Sequence, residues 1–227
     1  MEEADKHDSA SAQEGAICAA ELLLLREMTH RISNELASMI GFVSHVAAGS
    51  TNCGVKLALA EVVERLHDHA RIHRILQIPT TNHLVDATAY LRELCRAISR
   101  SKLEGNGIEL VLVEHSVRLS SVQCWRLGMI VSELVTNAYR HAFSESGGTI
   151  RIELMTRESY AECRVADDGR GSDIVQSGHG LTIVRSLARM LDGNIDLSFS
   201  EDGAVAMVSF PVLRQVEDGP VIESDFY

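Results

Sequence analysis

From Leu25 the large apolar side chains fall at Leu25, Met28, Ile32, Leu36, Met39, Val43 and Val46, spaced 3, 4, 4, 3, 4 and 3 residues apart. That rhythm predicts an amphipathic helix, because residues three and four apart share one face. Gly41 weakens it locally. A break over Ala47–Gly54 precedes a second helical pattern at Val55, Leu59, Val62, Leu66, Ala70, His73 and Leu76. Two helices joined by a short loop make an antiparallel hairpin. Alone, it would leave its apolar seam in water. Either the seam packs on the rest of the chain, or a second copy supplies two more helices in a symmetric four-helix bundle, which is the expected arrangement.

Pro79 and the polar run Thr80–His83 end the second helix, and the pattern then changes. Asp86 can cap a helix through about Arg100, and Ile108–Val113 reads as a strand. Ser120 with Gln123 forms a capping box opening a helix through about Phe143. Strands are expected at Thr149–Leu154, where Ile150, Ile152 and Leu154 alternate with Arg151 and Glu153, and at Ala161–Val165. A helix near Leu181–Leu191 follows, then a hairpin of Ile195–Phe199 and Val205–Phe210 turned at Glu201-Asp202-Gly203. The predicted organisation is a polar disordered tail at 1–13, the helical hairpin at 14–78, a linker at 79–86, an α/β domain at 87–213 and an acidic tail at 214–227. The fold class is α+β, a helical hairpin followed by an α/β sandwich.

Composition narrows the possible partners. Lys and Arg number 21 against 32 Asp and Glu, a net charge of −11, which disfavours nucleic acid. With 45% hydrophobic residues and 3 Pro the chain is globular. Five Cys with no Cys-x-x-Cys pair suit a reduced interior, hence a cytoplasmic location, and are read as packing residues along with Trp125. The apolar stretch Ile17–Leu25 is interrupted by Glu21 and is too short to span a membrane. His67, His69 and His73 form a polar helix face instead of a metal site, since nothing completes the ligand set.

Chemistry concentrates on the helix after Ser120. Glu133, Asn137 and His141 recur every four residues in one stripe that borders the apolar face of Leu127, Ile130, Leu134 and Ala138. By themselves they could be three surface groups or one wall of a pocket, and the Glu/Asn oxygens suit a hard cation such as Mg²⁺. Downstream, a strand ends in Asp167-Asp168-Gly169-Arg170-Gly171, and Gly178-His179-Gly180-Leu181 opens a helix. Glycines ahead of a helix N-terminus let backbone N–H groups approach phosphate oxygens. The spacing is neither that of a Walker loop nor that of a dinucleotide-binding fingerprint.

These residues resemble known motifs. Ser132–Phe143 looks like the N box of histidine kinases of the HWE type and their close relatives, Asp167–Gly171 resembles their G1 box and Gly178–Leu181 their G2 box. His30-Arg31-Ile32-Ser33-Asn34-Glu35-Leu36 is similar to that group's phosphoacceptor box. The resemblance implies a Bergerat-type ATP-binding sandwich attached to a dimerisation and histidine-phosphotransfer hairpin. It implies that His30 accepts the phosphoryl group, that Asp167 accepts a hydrogen bond from the adenine amino group, and that Asn137 ligates Mg²⁺ with support from Glu133. Arg140 and His141 would lie near the phosphates, and Gly169, Gly171, Gly178 and Gly180, with Leu181, would shape the nucleotide loops. His179 would only fill the loop.

At ~100° per residue, His30 lies about 180° from the mean direction of Met28 and Ile32 and faces solvent, as an acceptor reached in turn by two domains must. An imidazole is largely neutral near pH 7, so one ring nitrogen is available as nucleophile. The implied activity is autophosphorylation of His30 from Mg²⁺-ATP, followed by transfer to an aspartate of a response-regulator receiver. This requires the domains to swing about residues 77–86. The alternatives are a phosphotransferase relaying phosphoryl groups between receivers without ATP, and a non-catalytic dimeric scaffold. The short stretch ahead of the first helix leaves signal input to a separate sensory partner. Three positions depart from the family pattern: the Trp-x-Glu element of the HWE type is missing, six residues separate Gly171 from Gly178 where a lid would lie, and Arg31 follows the acceptor where many relatives carry an acid.

Overall fold

The computed structural model describes residues 2–143, 147–169 and 179–212, with side chains at Leu24 and from Arg26 onward. The chain divides into two compact units, Met1–Thr80 and Thr81–Tyr227. The expected acidic tail at 214–227 lies outside the described residues.

Unit 1 is a helical hairpin. Helix α1 spans Glu2–Gly49 and α2 spans Cys53–Ile75, joined by a short turn. Asn52 starts α2, its side chain accepting from the backbone of Gly54 at 2.9 Å and Val55 at 3.3 Å, which satisfies N–H groups that the helix cannot. Helix α1 runs through residues 2–13, where a polar tail was expected; Ala, Glu and Gln in that stretch are good helix formers without any burial. The contact with α2 is also rotated from the expected seam. Half-buried positions on α1 are Thr29, Ser33, Leu36, Ile40, Val43 and Ala47, whereas Met28, Ile32, Met39 and Val46 remain exposed. Small side chains at 29, 33 and 47 admit α2, and the larger ones are left on a neighbouring face.

Unit 2 is a two-layer α/β sandwich. Strand β1 (Leu84–Asp86) precedes α3 (Ala87–Ile98), which Asp86 caps through a 2.9 Å bond from Ala89 N. A π-helical turn, Ser99–Leu103, continues α3. Strands β2 (Ile108–Val113) and β3 (Arg118–Ser120) lead into α4 (Ser121–His141), where both halves of the Ser120–Gln123 capping box form. Then come β4 (Gly148–Arg157), β5 (Tyr160–Asp167), α5 (His179–Met190), β6 (Asn194–Ser200) and β7 (Gly203–Pro211).

The main sheet has the order β2-β4-β5-β7-β6. Only β2 and β4 are parallel, with α4 lying in the crossover between them. Strands β1 and β3 form a separate antiparallel pair, so the segment expected as a linker at 79–86 ends in a strand. Alternate residues of β4, β5 and β7, among them Ile150, Ile152, Cys163, Val165, Val208 and Phe210, are buried beneath Leu91, Leu94, Ile98, Leu127, Ile130 and Leu187 of the helices. Burial pushes the thiols of Cys95, Cys124 and Cys163 up to about 12, which keeps them inert core groups.

Candidate functional site

Helix α4 carries the polar stripe at the edge of this core. Leu127, Ile130, Leu134 and Ala138 are buried, and Glu133 and Asn137 beside them are half-buried. Arg140 and His141, in the last turn, are exposed. Tertiary packing brings this stripe to α5: the α-carbon of Gly180 abuts the Glu133 carboxylate so closely that a Cβ there would collide with Oε1. A side chain at 180 would displace the tip of Glu133, and with glycine there the carboxylate lies beside the first turn of a helix. Leu181 follows, half-buried, with Val184 and Leu187 anchoring α5 in the core.

At the end of β5, Asp167 is half-buried and its Oδ1 accepts from Gly169 N at 3.2 Å and from Ala204 N at 3.3 Å. One oxygen thus joins the turn after β5 to the start of β7 and leaves Oδ2 as the acceptor for a ligand donor. Burial raises the Asp167 pKa above its ordinary value, the two backbone N–H groups pull it back, and neighbouring Asp168 pushes it up. Asp168 turns the other way, accepting from Thr149 N at 2.6 Å and tying β5 to β4. A Cβ on Gly169 would strike the carbonyl of Ala142, so this glycine lets the turn close against the end of α4. Gly203, at φ +131, has its α-carbon against the Asp167 carbonyl.

Helix α4 thus carries Glu133 and Asn137 between two contacts: Gly180, followed by Leu181, against Glu133, and Gly169, in the turn after Asp167, against Ala142. Gly171 and Gly178, and the lid segment between them, lie outside the described residues. His30 is in unit 1, exposed on α1. Two residues of the neighbourhood are not evident from the sequence. Lys102, in the π turn, donates from Nζ to Thr136 Oγ1 at 3.2 Å, and Asp168 has the β4 role just described. A regular helix pattern gives no sign that the chain after α3 folds back over α4.

The oxygen donors fit Mg²⁺. Glu133 and Asn137 lie one turn apart on α4, and among the described residues no cluster of three or more His, Cys, Asp or Glu could hold a metal unaided. Mg²⁺ typically takes one or two protein oxygens and completes its shell with phosphate and water. An aspartate acceptor and a glycine-lined approach suit an adenine nucleotide in the same place.

Residues 27–102 match the family described as Histidine kinase, and residues 122–214 match Histidine kinase-, DNA gyrase B-, and HSP90-like ATPase. Blue-light-activated histidine kinase 2 of Erythrobacter litoralis is 27% identical over 205 residues, covering 84% of this chain and 58% of that protein. Sensor histidine kinase PdtaS of Mycobacterium tuberculosis is 28% identical over 202 residues, 84% of this chain and 40% of that one. The chain therefore spans about half the length of these relatives. The histidine kinase domain of the Erythrobacter litoralis EL346 blue-light-activated kinase has the same fold, with a TM-score of 0.54 at 22% identity over 79% of this chain and 96% of that domain. Among the described residues no helix is long and apolar enough to cross a membrane.

Proposed function

The chain belongs to the histidine kinases, and on that premise we propose that it phosphorylates its own His30 from Mg²⁺-ATP and passes the phosphoryl group to an aspartate of a response-regulator receiver domain in the cytoplasm. The observation that carries this reading is the convergence in unit 2 of Asp167 at a strand end, the Glu133–Asn137 stripe and the Gly180 helix start. A relay protein without nucleotide chemistry has no use for that constellation.

In this mechanism Asp167 Oδ2 receives the adenine amino group, while the backbone of Gly169 and Ala204 holds the carboxylate in place. Asn137 and Glu133 would hold Mg²⁺, which would supply positive charge to offset that of the phosphates. Arg140 and His141 face the phosphates, and Gly169, Gly171, Gly178, Gly180 and Leu181 shape the surrounding backbone. A ring nitrogen of His30 attacks the γ-phosphorus in line; an N–P bond forms, the bond to the β-phosphate oxygen breaks, and ADP leaves. Such transfer depends on placement and charge neutralisation more than on covalent help. The exposure of His30 on α1 allows first the nucleotide domain and then a receiver aspartate to reach it. A second copy covers the apolar face of the hairpin.

Radiolabelled ATP tests the proposal. Wild-type protein should acquire acid-labile, base-stable label that chases onto a receiver domain, and His30→Ala should acquire none while keeping its thermal transition. Label retained by His30→Ala would reject the acceptor. Label arriving only from a phosphorylated receiver would reject the kinase in favour of the relay, and no label from either source would leave a scaffold.

A further inference from the structure

Lys102 stands outside every motif in the chain, yet it is directed at the centre of the N-box helix. It occupies the five-residue π turn Ser99–Leu103, and single π turns occur frequently at functional sites. Leu103 is fully buried and anchors the turn, while Lys102 is half-buried with its Nζ on the hydroxyl of Thr136. Thr136 is itself among the few buried polar residues, and it lies three residues from Glu133 and one from Asn137. Among the described residues Lys102 makes no salt bridge, and its one hydrogen bond from Nζ goes to a neutral hydroxyl.

Its surroundings sharpen the anomaly. Burial depresses the Lys102 pKa, nearby Arg140 depresses it further, and Glu133 alone opposes them. Lys102 and Arg140 thus bring positive charge to the polar edge of α4 in a chain whose net charge is −11. The triphosphate of a nucleotide seated on Asp167 and Asn137 is an anion of the class that such groups bind.

We propose that Lys102 is a phosphate-binding residue of the nucleotide site, gripping the polyphosphate together with Arg140 from the π turn behind α3. The inference rests on the nucleotide-site reading given above. It assigns to α3, an element with no part in the N, G1 or G2 boxes, a share in ligand binding. Lysine suits the task as a flexible point charge with three donors, one of which stays on Thr136.

Calorimetric titration of the full chain with ATP and with adenosine, both in Mg²⁺, separates the possibilities. Lys102→Ala should weaken ATP at least tenfold while leaving adenosine within twofold, and Lys102→Arg should restore most of the ATP affinity. Lys102→Gln retains the stem and a donor for Thr136, and serves in place of the alanine variant if that one unfolds; the same split is expected. Equal loss of both ligands, or loss of neither, overturns the assignment of Lys102. Failure of the wild-type chain to take up either ligand would instead overturn the nucleotide site itself.

Discussion

The two units solve the burial problem in opposite ways. Unit 2 encloses its own core: Leu91, Leu94, Leu127, Ile130, Ile150, Ile152 and Phe210 are all fully buried. In unit 1, among the described residues, Ile72 alone is buried, and Met28, Met39, Phe42, Leu57 and Val62 are exposed. Phe42 and Leu57 each expose 69% of their surface. Apolar side chains of that size in water mark a surface made for another surface. One unit thus encloses its own core and carries the proposed nucleotide chemistry; the other leaves large apolar side chains exposed and carries the proposed acceptor. Catalysis and association are separable in sequence, and substitutions should separate them in solution.

The largest effect is expected from charging the open face of the hairpin. Met39→Asp with Phe42→Asp should weaken self-association about a thousandfold, since each dimer would bury four unpaired carboxylates at a combined cost of ~4 kcal/mol or more. Sedimentation equilibrium should report monomer, with ATP affinity of unit 2 unchanged; a persistent dimer would show that association uses another face. Next comes the reverse perturbation. Leu91→Ala, in the core of unit 2, should cost about 3 kcal/mol and lower the melting of that unit while the dimer survives. Loss of the dimer in Leu91→Ala would mean that the units do not act independently.

The smallest effect sharpens the contrast within unit 2. Because the folded Asp167 pKa lies above its ordinary 3.8, the native state takes up its proton at higher pH than the unfolded chain does. Its contribution is therefore unfavourable at neutral pH and is relieved as pH falls through the folded pKa toward 3.8. Asp167→Asn keeps an oxygen for Gly169 and Ala204 but cannot titrate. Nucleotide-free Asp167→Asn should melt slightly above wild type at pH 7, with the gap closing as pH is lowered. The same variant should lose ATP affinity more than tenfold, because its new amide would face the adenine amino group. A constant gap across that range would place the titration elsewhere.

Much of this was legible in the chain. The strands β4, β5 and β7 bury alternate residues, and the caps at Asp86 and Ser120 satisfy specific N–H groups, so both are local signals. The Glu133–Asn137 stripe is likewise a matter of helical arithmetic. What failed depends on distance along the chain. Strands β1 and β3 have three residues each and pair with one another across more than thirty residues of chain. The parallel pairing of β2 with β4 requires a crossover that no local pattern announces. In α1 the apolar positions fall on two faces, and a single averaged seam through Leu25, Met28 and Ile32 blends the face toward α2 with the face left open. Asp168, Gly203 and Lys102 matter through contacts 19 to 36 residues away in sequence or more, such as Asp168 with Thr149 and Lys102 with Thr136.

The π turn at Ser99–Leu103 holds one residue more than an α-helical turn would need. Excising a single residue there would let α3 continue smoothly and improve its regularity, yet rotate whatever follows by ~100°. Anyone shortening or splicing this chain at the α3 exit would obtain a better helix and a misaimed lysine, so the join between modules is best cut on the other side of β1.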